Sequence, residues 1–201
     1  MLSKMHARFS LLLLTLSIMG CQTTSVERVD PGTTQDLSGY WNDTDSRMVS
    51  ATMVTDMLSR AWLGEHRGAT GKAPTVIVGN IRNLSHEHIN VNTFINDIER
   101  ELINSGRVSF VASSQERGQI RDERADQDLN ASEATRSAMG QEIGADYMLI
   151  GSINTIVDAL DKQQVTFYQV DLTLISMKDN RKVWLGQEKI KKIISGRKYR
   201  F

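Results

Sequence analysis

Apolar residues recur along this chain with two different periods, and the change of period divides it. Val49, Met53, Met57 and Ala61 fall four apart, and Val54, Leu58 and Trp62 form the adjacent row. That spacing predicts an amphipathic helix, with Asp43, Thr44 or Asp45 as its N-cap and Gly64 as its stop. Residues 65–74 read as a loop, and Thr75-Val76-Ile77-Val78, continuing to Ile81, reads as a buried strand. After the polar loop 82–92, a second helix is expected from Thr93 to Asn104. It would bury Phe94, Ile95, Ile98, Leu102 and Ile103, and Ser105-Gly106 would end it. Val108 to Ala112 is the expected second strand. Ser113 or Ser114 would cap a charged helix through Ala125. A short helix would open at Ser132 and close at Gly144, and Tyr147 to Ile150 would form a third strand.

The last third of the chain switches to period two. Thr166, Tyr168, Val170, Leu172 and Leu174 point one way. Val165, Phe167, Gln169, Asp171, Thr173 and Ile175 point the other. Lys178-Asp179-Asn180 is a turn, and Lys182 to Ile190 returns as a fifth strand that runs into a basic tail. Helices and strands in this order predict an α/β (α+β) fold. It is a single mixed β-sheet of about five strands, packed with about four helices and ending in a β-hairpin.

The amino terminus belongs to neither pattern. Lys4 and Arg8 precede an eleven-residue apolar run, Phe9 to Met19, and Gly20 supplies a small residue before a cut. A bilayer-spanning helix needs about 20 residues, so the run reads as a signal peptide over residues 1–20. Ile18-Met19-Gly20-Cys21 resembles a lipobox, and Cys21 is the only cysteine in the chain. Lipidation at Cys21 is therefore expected, since stable anchoring takes more than one acyl chain. Gln22 resembles the outer-membrane class in lipoprotein sorting, where Asp favours inner-membrane retention. Residues 21–39 then form the lipidated cysteine and a flexible tether, rich in Thr, Ser, Asp and Gly. A folded domain would span 40–201.

Charge and motifs narrow the chemistry. Loss of Lys4 and Arg8 with the signal leaves 22 basic against 24 acidic residues, a net charge of −2. No overall field argues for nucleic acid. Gly64, Gly68, Gly71 and Lys72 do not form a phosphate-binding loop, because Ala73 and Pro74 follow the lysine and the strand comes after it. There is no G-x-S-x-G elbow. No enzyme or cofactor signature emerges. His86 and His88 supply two metal ligands at most, whereas zinc needs three or four that converge. They read instead as a polar loop at a strand end, a common place for binding residues. Tyr40 and Trp41 flank the first helix cap. There they either staple the helix entrance to the core or anchor a partner. Trp62 and Trp184 read as core. The charged stretch from Glu116 to Asp128 reads as a solvated helix face.

Four pieces of sequence, in this order behind a lipobox, carry a resemblance to a known family. They are Leu37-Ser38-Gly39-Tyr40-Trp41-Asn42-Asp43-Thr44-Asp45, the strand start Val76 to Asn83, the stretch Gly144-Ala145-Asp146-Tyr147-Met148-Leu149-Ile150-Gly151, and Val183-Trp184-Leu185-Gly186. Together they resemble the LpoB family of outer-membrane lipoproteins, whose α/β domain is shared with the periplasmic part of the curli secretion protein CsgG. The resemblance implies a non-enzymatic activator that docks on a class A penicillin-binding protein, a peptidoglycan synthase, and regulates peptidoglycan synthesis. The rival reading is a structural or accessory subunit of a CsgG-like outer-membrane secretion or assembly complex. Channels of that type insert extra amphipathic hairpins, whereas the long apolar alternation here is used by the terminal hairpin alone. The chain departs from the well-known family members in its tether, which in them is long and Pro-rich. Residues 22–39 span at most about 65 Å fully extended, and average about 25 Å as a coil.

Overall fold

A computed structural model describes residues 25–134 and 142–196. The expected signal, Cys21, the middle of the expected Ser132–Gly144 helix and the tail residues Arg197, Lys198 and Arg200 lie outside the described residues. Residues 25–33 carry one turn, in which Asp30 accepts from the backbone N–H groups of Gly32 and Thr33. The compact unit that holds the sheet begins at Thr34.

Its first helix, α1, runs Asp43–Ser59. Asn42 is the N-cap, one residue before the expected candidates. Its side chain accepts from Asp45 N–H, and the Asp45 carboxylate takes the Asn42 N–H in return. This reciprocal box satisfies two of the orphan donors of a helix start. The expected stop at Gly64 is a correction. The chain breaks at Arg60 and restarts as α2, Ala61–Thr70, so residues 65–70, read as loop, are helical. The break has a local cause. Ser59 Oγ donates to the Asp56 carbonyl and the Trp62 indole N–H donates to the Met57 carbonyl, both at 2.7 Å, so side chains satisfy the last turn. Restarting there buries Trp62 and Leu63 together. Gly71, at φ 70°, ends α2 in the left-handed conformation that glycine tolerates.

The remaining elements are β1 (Thr75–Asn83), α3 (Val91–Asn104), β2 (Ser109–Phe110), α4 (Ser114–Asn130), β3 (Tyr147–Leu160), β4 (Gln163–Ser176) and β5 (Lys182–Ser195). They form one sheet in the order β2-β1-β3-β4-β5. The β2–β1 and β1–β3 pairs are parallel, and β3–β4–β5 is an antiparallel meander. The expected mixed five-strand sheet is thus observed, and four helices accompany it among the described residues, two of them from the split of the first expected helix. Three bounds move. β2 shrinks to two residues. α4 extends to Asn130 behind a Ser113–Glu116 capping box. β3 runs ten residues past Ile150, because the whole of β4 pairs with it through Leu160↔Gln163.

The core lies between one face of the sheet and the helices α1 and α3. The alternation read in β4 is observed: Thr166, Tyr168, Val170, Leu172 and Leu174 are all buried. Phe94, Ile98 and Leu102 of α3 meet this face fully buried, while Ile103, expected inside, is exposed. Trp62 and Trp184 are buried as expected. The Trp184 indole N–H donates to Asp56 Oδ2 at 2.8 Å and ties β5 to α1. Each such fully buried side chain contributes roughly 1.5–3 kcal/mol relative to exposure. Among the described residues, no helix is long and apolar enough to cross a membrane.

Candidate functional site

The segment that leads into α1 is fastened to the sheet by a polar clamp. Trp41 inserts between Phe94 and Tyr168, with ring centroids 6.2 and 5.6 Å away. Its backbone N–H donates to Glu87 Oε2 at 2.9 Å. The Tyr168 hydroxyl donates toward Glu87 Oε1 at 2.5 Å and the Gly39 carbonyl at 2.9 Å. Tyr168 is 0% exposed. Burial, and then the Glu87 carboxylate, push its phenol far above the ordinary tyrosine range, so it stays a donor. Glu87 therefore joins the loop after β1, the opening segment and β4.

Lys192 closes the other side of the clamp. Its Nζ lies 2.6 Å from Asp45 Oδ2, 3.1 Å from Asp36 Oδ1 and 3.1 Å from the Tyr40 carbonyl. The hydrogen bond from Lys192, and then that from Asn42, hold the Asp36 carboxyl below its ordinary value of 3.8. A depressed folded-state value stabilises the folded chain above 3.8 and ceases to do so as pH falls through the lower value. Asp36 is thus expected to stay tied at pH 5 and to release only in more acidic solution. Lys192→Met should shift that release toward neutral pH and lower stability overall, since it leaves buried Asp45 without its cation. Hydrogen exchange of residues 36–42 against pH checks this. Identical profiles for wild type and variant would refute it.

The clamp sorts the candidates read from sequence. Trp41 is half-buried and fixes the opening segment to the core, whereas Tyr40 beside it is 60% exposed. His86 and His88 are both exposed. His86 lies on Thr155 of β3, with Nδ1 3.0 Å from the hydroxyl oxygen. Among the described residues no group of three or more His, Cys, Asp or Glu is placed to hold a metal ion. The structure brings Trp41 and the His86 loop together through Glu87, and leaves Tyr40, His86 and His88 on the surface around that junction. Glu87, Tyr168 and Lys192 escaped the sequence reading as a group. Tyr168 was legible as sharing a face with Val170, Leu172 and Leu174, and continuing the β5 alternation past Ile190 would have put Lys192 on the same side.

A cleft of about 610 Å³ lies at the other end of the sheet, lined by Trp62, His66, Asp146, Tyr147 and Arg181. His66 Nδ1 is 3.1 Å from the Tyr147 hydroxyl, and Nε2 is 3.8 Å from Asp146 Oδ2. Asp146 is itself engaged by the Thr75 N–H at 2.8 Å. Burial, then Asp146, raise the Tyr147 phenol above its ordinary range, so it offers a proton donor and no ready nucleophile. Arg181 is paired with Asp179, whose carboxyl is held down to about 2 by hydrogen bonds from Ser176 and Arg181. This arrangement suits binding and bracing.

Comparison with known proteins gives one family match and a set of distant structural likenesses. Solved structures similar to this chain include the LpoB C-terminal domain from Salmonella enterica, at 18% identity, 74% of this chain, 99% of that chain and a TM-score of 0.42. The LpoB C-terminal domain from Escherichia coli matches at 19% identity, 71% and 98% coverage, and a TM-score of 0.41. Lipoprotein GNA1162 from Neisseria meningitidis matches at 14%, with 59% and 83% covered and a TM-score of 0.37. No curated protein sequence matches the chain. The family model described as peptidoglycan-synthase activator LpoB matches residues 45–190, from the buried capping aspartate of α1 into β5 and through most of the sheet. On that match, which spans well over half of the sequence, the chain belongs to the LpoB family of peptidoglycan-synthase activators.

Proposed function

We propose that this protein is a non-enzymatic outer-membrane lipoprotein that binds a class A penicillin-binding protein in the periplasm and raises its peptidoglycan synthesis. The family match over residues 45–190 carries this reading. In it, residues 1–20 are the signal, 21–39 the lipidated cysteine and tether, and 40–201 the domain that docks. Activation then needs no chemistry from the activator. It needs an affinity that is greater for the active state of the synthase than for the inactive one, because only a differential affinity shifts a conformational equilibrium. The clamp contributes rigidity: Glu87, Tyr168 and Lys192 hold the opening segment and the His86 loop in one arrangement. A preformed surface loses less conformational freedom on docking.

The test is glycan polymerisation by the purified cognate synthase with and without the unlipidated mature protein. The rate should rise saturably with protein, and lipid should be unnecessary in the test tube because the tether only sets local concentration. A rate unmoved by saturating protein, with every class A synthase of the same organism, would remove direct activation.

A further inference from the structure

The far end of the β3–β4 hairpin carries a surface that neither the core nor the clamp uses. Because Thr166, Tyr168 and Val170 face the core, the alternate residues of β4 and their cross-strand partners face the other way. On that outer face Ile156 pairs with Phe167 and Phe167 with Lys191, while Val165 pairs with Ile193. Ile156, Leu160 and Ile193 are 66%, 77% and 69% exposed. Soluble surfaces scatter such residues singly, so a contiguous group marks a place of contact. Lys189 and Lys191 stand on the same face and Lys162 lies in the turn; Asp158 and Asp161 are the acidic residues at the tip, and Asp171, diagonal to Lys189, is hydrogen-bonded by Gln169 and Gln187.

The opening segment and the end of β5 both meet this tip. β5 finishes at Ser195 opposite Gln163, and the Gly196 N–H donates to the Lys162 carbonyl at 3.0 Å. The opening segment arrives here too: Lys192 holds Asp36, and Ile194 fills the space where Gly39 lacks a side chain. Asp36 is fifteen residues from Cys21. Were these residues the flexible tether expected from their composition, they would average roughly 20 Å end to end. An acyl group on Cys21 would hold this tip, rather than the opposite cleft, beside the headgroups.

We infer that the β3–β4 tip is a second membrane contact, which lays the domain on anionic phospholipid headgroups next to its own anchor. Ile156, Leu160 and Ile193 enter the interface, while Lys189 and Lys191 extend their stems along it and place their charges among the phosphates. The contact is weak and salt-sensitive, so the domain alternates between lying on the membrane and standing free on its tether. The inference rests on lipid anchoring at Cys21 and not on which enzyme is regulated.

The solitary cysteine makes the test clean, because acylation blocks its sulfur. Leu160→Cys in the full lipidated protein then offers one free thiol for an environment-sensitive dye, and Leu129→Cys on exposed α4 is the control. Vesicles of phosphatidylethanolamine and phosphatidylglycerol, with brominated acyl chains as quenchers, report contact. The dye at position 160 should be quenched and blue-shifted on these vesicles, and not on phosphatidylcholine or in high salt. The dye at 129 should stay aqueous throughout. Lys189→Glu with Lys191→Glu should lower the docked fraction by about tenfold or more, with an unchanged melting curve showing that the fold survives. A dye at 160 as water-exposed as the one at 129 overturns the proposal. So does loss of synthase activation by the charge reversal in vesicle-free solution while position 160 stays aqueous, since the face would then be a protein-docking surface. Failure of activation by every variant, with vesicle docking intact, would instead remove the activator reading alone.

Discussion

Tyr168→Phe is expected to destabilise the folded chain by roughly 2–4 kcal/mol, far more than the loss of one hydroxyl costs on a surface. The reason is what the hydroxyl leaves behind. Glu87 Oε1 and the Gly39 carbonyl share that donor, and Trp41 N–H serves only the other carboxylate oxygen. With phenylalanine in place, a carboxylate in partly buried surroundings keeps its desolvation cost and loses its partner. Glu87→Gln should cost less, because its amide oxygen still accepts from the phenol. Combined with Tyr168→Phe it should cost less than the two singles added, because the neutral amide removes the charge that phenylalanine leaves without its donor. Urea unfolding of the four proteins measures this coupling. Hydrogen exchange over residues 36–42 should loosen in Tyr168→Phe ahead of the sheet. A single-variant loss under about 0.5 kcal/mol, or strict additivity, would mean that the clamp is ornamental.

That clamp also shows what the sequence could and could not reveal. Period two in 165–176 was enough to put Tyr168 on one face with Val170, Leu172 and Leu174, and the structure shows that face to be the buried one. The same reasoning found Phe94, Ile98 and Leu102, whose helical spacing admits one buried stripe. Residues held by partners distant in sequence were not legible. Nothing local in Ser-His-Glu-His marks Glu87 as the residue that reaches both Trp41 and Tyr168, at separations of 46 and 81 residues. The two histidines attracted attention by type, and the carboxylate between them holds the structure. β3 was read four residues long for a similar reason. Beyond Ile150 its own sequence is weakly apolar, and it is a strand because β4 pairs with it along its full length. The break at Arg60 was hidden because the apolar rows run through it unbroken, while the bonds from Ser59 and the Trp62 indole that close the last turn of α1 are visible only in the structure.

The clamp and the hairpin tip bear on one mechanical question, how a tethered domain presents a fixed surface. Lys192 stands on the core side of β5 and holds the opening segment, while its neighbour Lys191 stands on the outer side. Adjacent lysines thereby take different tasks through the pleat alone, since successive side chains alternate across a strand. Sheet register thus separates the residues that hold the segment from those proposed to meet the membrane.

Cys21→Ser is expected to abolish function in cells while leaving the purified protein able to stimulate its synthase. Without the thiol no diacylglyceryl group can be added, so the chain should remain an uncleaved or mislocalised precursor and take up no fatty-acid label. A free periplasmic domain must find the synthase at its bulk concentration, whereas an anchored one meets it at the local concentration set by the tether. Linkage of this kind is worth roughly a hundredfold or more in occupancy. The length of residues 22–39 should then act asymmetrically. A flexible insert should be tolerated, since each doubling of a loop costs only about 0.6 kcal/mol in closure entropy. Deletions should impair function sharply once the segment no longer spans the gap, because effective concentration falls to near zero when a linker cannot reach. Labelling cells with radioactive palmitate, fractionating their membranes and measuring new peptidoglycan in the same cultures tests each step. Equal label in Cys21→Ser and wild type would end the lipoprotein reading, and with it the docking of the hairpin tip beside an anchor. Lost label with undiminished peptidoglycan synthesis would instead show that the domain works without local concentration.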